Sequence, residues 1–87
     1  MSYTIYLTNT AAKDLAAVPK RTLKHIDNTI LSLADNPRPH GSMKLQGADE
    51  LYRIRKGDFR IIYKIEDAAL IVTVIRVGNR RDVYRNI

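Results

Sequence analysis

Arg53, Arg55, Arg60, Arg80 and Tyr84 fall within one 35-residue stretch, Leu51 to Arg85, in which apolar and charged residues alternate. A guanidinium is planar, permanently charged and forked, so it matches a phosphate oxygen pair bidentately in a way that lysine does not. Arginines gathered on one surface with a nearby phenol suit the holding and breaking of a phosphodiester. The same pattern also describes a solvated basic face, because antiparallel sheets place charged residues on their wet side.

Strand alternation decides which of these side chains meet. Along Leu51–Arg55, Arg53 and Arg55 share one face, while Tyr52 and Ile54 share the other. Along Phe59–Ile65, Phe59, Ile61, Tyr63 and Ile65 form an apolar face, and Arg60, Ile62 and Lys64 point the opposite way. If Ile54, Ile61 and Tyr63 pack inward, Arg53, Arg55, Arg60 and Lys64 are displayed together on an open face.

The elements that must carry these residues are readable in order. Tyr3–Leu7 alternates as a short half-buried strand. Thr8-Asn9-Thr10 offers N-caps for a short helix, Ala11–Ala17. Pro19 breaks that helix and suits the first turn of a second, Lys20–Asp35. There Leu23, Ile26, Ile30 and Leu33 form one apolar stripe that docks on a core, and His25 lies off it. Asn36-Pro37-Arg38-Pro39-His40-Gly41 opens a loop. Strands follow over Leu51–Arg55, Phe59–Ile65 and Ala69–Val77, with a tight turn at Gly57-Asp58 and another at Glu66-Asp67. The near-continuous apolar run of the last strand predicts a central strand buried on both faces. Gly78 breaks the pattern ahead of a basic tail, Asn79–Ile87. The order β-α-α-β-β-β predicts an α+β domain, with a helical hairpin on one face of a small, mostly antiparallel sheet.

Composition agrees with a single domain over residues 1–87. The chain is 45% hydrophobic, which suits a packed core. The net charge is +6, unevenly placed: residues 38–87 hold eleven basic and six acidic side chains, against four and three in residues 1–37. Such asymmetry points to a polyanionic partner. There is no cysteine, which excludes disulfides and thiolate chemistry and fits a cytoplasmic protein. No signal peptide is read at the N-terminus, and the apolar run Ala68–Ile75, broken by Thr73, is far short of a bilayer span. Neither histidine belongs to a ligand-spaced cluster, so no metal or cofactor is expected.

Four segments carry a family resemblance: Lys44-Leu45-Gln46-Gly47, Leu51-Tyr52-Arg53-Ile54-Arg55, Phe59-Arg60-Ile61-Ile62-Tyr63, and Arg76-Val77-Gly78-Asn79-Arg80-Arg81-Asp82-Val83-Tyr84-Arg85. In this order and spacing the chain resembles the RelE/ParE superfamily of type II toxins, and within it the RelE-like mRNA interferases. The resemblance implies a RelE-like fold and ribosome-dependent cleavage of mRNA in the A site. In that reaction the RNA's own 2′-hydroxyl attacks the adjacent phosphate, leaving a 2′,3′-cyclic phosphate and a 5′-hydroxyl, and no metal is needed. Carried over residue by residue, it makes Arg53, Arg55, Arg60, Arg80 and Tyr84 the catalytic set. Lys44, Lys56, Lys64 and Arg81 become contacts to RNA or the ribosome. It also implies a RelB-like antitoxin whose acidic helical segments mask the basic face. Relatives often have lysines in place of Arg53 and Arg55, and a histidine in place of Asn79. Arginine is a poor general base, so the base is unassigned. Two other readings share the fold: a ParE-like poison of DNA gyrase, and a non-catalytic RNA-binding relative.

Overall fold

The computed structural model describes residues 2–47 and 50–79. It contains β1 (Thr4–Leu7), α1 (Asn9–Ala16), α2 (Lys20–Ser32), β2 (Met43–Lys44), β3 (Leu51–Lys56), β4 (Phe59–Glu66) and β5 (Ile71–Asn79). The strands form one sheet in the order β1-β5-β4-β3-β2. Only β1 and β5 run parallel; the other pairs are antiparallel. The expected α+β architecture holds, with a two-residue edge strand, β2, added within the loop after α2.

Local chemistry explains the helix ends. The Thr8 hydroxyl accepts the Ala11 N–H at 3.0 Å and donates to the Ile75 carbonyl at 2.8 Å, so one cap both starts α1 and ties it to β5. Helix α2 stops at Ser32 rather than Asp35. Its last turn tightens into i→i−3 bonds from Leu33, Ala34 and Asp35, ahead of Asn36, which is held out of the α region by Pro37.

Ile26, Ile30 and Leu33 pack with Ala11 and Val18 from the helical side against Ile54, Ile61, Tyr63, Ile65, Val72, Val74 and Val77. The apolar stripe of α2 is therefore core. Leu7 stays 45% exposed because β1 is the edge of the sheet.

Two expectations need correction. The strand buried on both faces is β4, where Arg60, Ile61, Ile62 and Tyr63 are all buried. In β5, Thr73 and Ile75 are only half-buried. The reason is position: β4 lies at the centre of the five strands, one place further in than β5. Nor does Gly78 end β5, which runs to Asn79 by pairing Gly78 with Arg60 and Asn79 with Phe59. A bulge opposite Ile62 and Tyr63 leaves Ile75 as the extra residue. It re-phases the strand so that Val72, Val74 and Val77 all reach the core.

The pairing of β1 with β5 ends at Leu7 and Val74, and α1 covers the β5 edge beyond it. Asp14 Oδ2 accepts the Val77 N–H at 2.9 Å and the Arg76 Nε–H at 3.0 Å. At the other end of the sheet, Arg38 donates to both Asp67 oxygens at 3.1 and 2.8 Å, and from Nε to the Tyr52 hydroxyl. Tyr3 also donates to Asp67, at 2.7 Å. The Tyr52 ring stacks on that of Tyr63, with centroids 6.0 Å apart, and the buried Tyr63 hydroxyl donates to the Pro37 carbonyl. This cluster fastens the loop after α2 to β1, β3, β4 and the turn before β5. The hydrogen bonds from Arg38 and Tyr3 hold the Asp67 carboxyl down to about 2, and burial pushes the Tyr63 phenol up to about 12.

Because the Asp67 carboxyl is depressed in the folded state, its contribution is complete above about pH 4 and is lost as pH falls toward 2. Asp67→Asn should therefore lower the urea midpoint at pH 7, and the gap between wild type and variant should close on acidification. A gap independent of pH would contradict this. Asp14→Ala should cost about 1–3 kcal/mol by leaving the Val77 N–H without its acceptor, and Asp14→Asn, which keeps a carbonyl oxygen there, should cost less. Equilibrium urea unfolding of both variants checks the order.

Candidate nucleic-acid interface

The β3–β4 hairpin sets the spacing of the basic residues. Gly57 takes φ +59° as the first of two loop residues, a conformation glycine adopts without a steric penalty. The register then follows without slack. Arg55 lies opposite Arg60, Arg53 opposite Ile62, and Leu51 opposite Lys64. On the far side of β4, Arg60 faces Gly78 and Ile62 faces Arg76. Two rows thus cross the sheet on the face away from the helices: Arg55, Arg60 and Gly78, and beside it Met43, Arg53, Ile62 and Arg76.

Arg53, Arg55, Arg60 and Lys64 therefore share a face, as alternation predicts, but they are not equally displayed. Arg55 is exposed and Arg53 half-buried, whereas Arg60 is only 5% exposed. The expected open face is closed over β4, where Ile62 too is fully buried. Alternation fixes the direction of a side chain and not its depth. Arg60 and Ile62 lie on the central strand, with a paired strand on each side. Arg60 Nε is buried without a hydrogen-bond partner among the described residues. Buried donors are nearly always satisfied, and a buried charge needs compensation. Arg55 directly opposite adds like-charge repulsion. An anion laid across Arg55 and Arg60 would answer both costs, and Gly78 puts no side chain beside Arg60 on β5.

The other candidates are placed differently. Arg53 reaches back over the edge strand, its Nη2 2.7 Å from Met43 Sδ. Lys64 is engaged by Glu50 at 3.4 Å and Glu66 at 3.9 Å. Lys44 and Lys56 are in register with Tyr52 and Phe59, which pack on the core, so they belong to the helical side of the sheet. Arg80, Arg81 and Tyr84 lie outside the described residues. The two rows contain no histidine and no carboxylate, so the arrangement is equipped to hold a phosphate and to stabilise charge on its nonbridging oxygens. Sequence reasoning missed Met43 and Gly78 as members of these rows. Met43 gives no signal of its own, and the Gly78 break in the apolar pattern was the trace left by a row member without a side chain.

A sequence profile of the ParE toxin of type II toxin–antitoxin systems, parDE, matches residues 5–84. Toxin RelG of Mycobacterium tuberculosis is 31% identical over 86 residues, spanning 98% of this chain and 99% of RelG. The mRNA interferase toxin RelE of Escherichia coli K12 is 26% identical over 88 residues, spanning 97% and 92%. Among solved structures, the RelBE2 toxin–antitoxin complex of M. tuberculosis superposes with a TM-score of 0.81 at 28% identity, over 92% of this chain and all of the matched one. With sequence profile, full-length relatives and fold in agreement, the chain belongs to the ParE toxin family of type II toxin–antitoxin systems, in the RelE/ParE superfamily.

Proposed function

We propose that this toxin is a ribosome-dependent endoribonuclease that cuts mRNA in the A site. The observation that carries the reading is Arg60: a buried guanidinium whose Nε has no partner among the described residues, set opposite a second arginine on the face away from the helices. Similarity to a relative named as an mRNA interferase supports it.

In this mechanism the 2′-hydroxyl attacks the adjacent phosphate in line with the departing 5′-oxygen. Negative charge grows on the nonbridging oxygens. Arg60 and Arg80 clamp it, with Arg53 and Arg55 holding the flanking backbone. Tyr84 stacks on a base or exchanges a proton with the reacting oxygens. Arginine does not serve as a general base, so the rate comes from orientation and charge stabilisation, with the ribosome positioning the RNA. The chemistry requires no metal. Lys44, Lys56, Lys64 and Arg81 contact ribosomal RNA or message, the first two from the helical side. A RelB-like antitoxin with acidic helical segments masks the basic face, in keeping with the similar RelBE2 toxin, whose structure is a toxin–antitoxin complex.

The ParE profile match favours one second reading, a ParE-like gyrase poison without nuclease activity. A short pulse of expression followed by mapping of mRNA 5′ ends separates the two. Cuts at fixed positions within codons support the nuclease, whereas blocked supercoiling with intact messages supports the gyrase reading. Arg80→Ala should lower cleavage about a hundredfold, near 3 kcal/mol of transition-state stabilisation. Arg60→Met should do the same while keeping or raising the urea midpoint, because it removes a buried charge whose Nε has no partner among the described residues. A folded Arg80→Ala protein that cuts ribosome-bound mRNA at the wild-type rate would refute the assignment.

A further inference from the structure

We propose that Met43 is an oxidation site through which peroxide lowers the activity of the basic face, by capturing Arg53. The proposal rests on the reading above, in which Arg53 holds RNA phosphate. Met43 is 57% exposed on the edge strand β2. The chain has two methionines and no cysteine, so no thiol competes for oxidant. The register sets Met43 directly against Arg53, and Arg53 Nη2 lies 2.7 Å from its sulfur.

A thioether is a weak acceptor. It steers the guanidinium toward the edge strand and gives it up to a phosphate. Oxidation changes the competition. A sulfur lone pair attacks one peroxide oxygen, the O–O bond breaks, and a sulfoxide forms. The second oxygen leaves as water with both protons. The sulfur loses two electrons and the peroxide gains them. The sulfoxide oxygen carries partial negative charge, and a guanidinium bonded to it makes a charge-assisted hydrogen bond. Arg53 is then held at the sheet edge when RNA arrives. The change is reversible, because methionine sulfoxide reductases return the thioether.

The test treats purified wild-type and Met43→Leu protein with hydrogen peroxide and locates the added oxygen by peptide mass spectrometry. Two quantities are followed, each variant against its own untreated sample: the Arg53 Nε–Hε NMR resonance and cleavage of ribosome-bound mRNA. In wild type the resonance should move, and cleavage should fall about tenfold. Both should recover with methionine sulfoxide reductase. In Met43→Leu neither should change. A sulfoxide at Met43 with an unmoved Arg53 resonance overturns the proposal, as does an equal loss of cleavage in Met43→Leu. Untreated wild type that cuts no ribosome-bound mRNA overturns the nuclease reading and the activity arm with it. The resonance arm still decides whether the sulfoxide captures Arg53.

Discussion

Strand β4 has to satisfy opposite demands on its two faces, and the rest of the molecule is arranged around that. Toward the helices, Ile61, Tyr63 and Ile65 complete the core; away from them, Arg60 is buried beside Ile62. A strand in this position is paired on both sides, so its register cannot drift without moving an isoleucine out of the core or the arginine into it. The same hydrogen-bond ladder that secures the fold therefore places the guanidinium. Its Nε, buried without a partner among the described residues, is a local cost that the surrounding core offsets.

The periphery protects that strand. Helix α1 begins on a threonine bonded to β5 and later supplies Asp14 to the β5 backbone, so the helix covers an edge that β1 is too short to pair. The cluster of Arg38, Asp67 and Tyr3 joins the loop after α2 to the opposite end of the sheet. It is a surface network and contributes little by charge alone. Its value is in tying the loop after α2, the start of β1 and the turn before β5 to one place.

How much of this was legible in the sequence follows from what each pattern reports. Period-2 alternation in Leu51–Arg55 and Phe59–Ile65 reports side-chain direction, and it correctly gathered Arg53, Arg55, Arg60 and Lys64. It carries no information on strand order. The apolar richness of Ala69–Val77 accordingly suggested the wrong doubly buried strand, and the burial of Arg60 went unforeseen. The bulge at Ile75 was invisible for a related reason: it arises from pairing with β4, and within β5 alone Val74 and Val77 look out of phase. The two-residue β2, too short for any period, was read as loop. Lys44 and Lys56 were assigned through resemblance, and the register sets them across the sheet from the arginines.

The parallel pairing of β1 with β5 has a consequence for how the protein comes into being. Among the described residues, β1 pairs only with the last strand, β5, with both helices and three strands between them. Until Ile71–Asn79 has left the ribosome, β1 has nothing to pair with, β4 lacks one neighbour, and Gly78 is not yet opposite Arg60. Such long-range closure is slow and waits for β5 to be made. A nascent chain of this topology holds its basic rows unassembled on the very machine that makes it, and completes them only once Ile71–Asn79 has emerged.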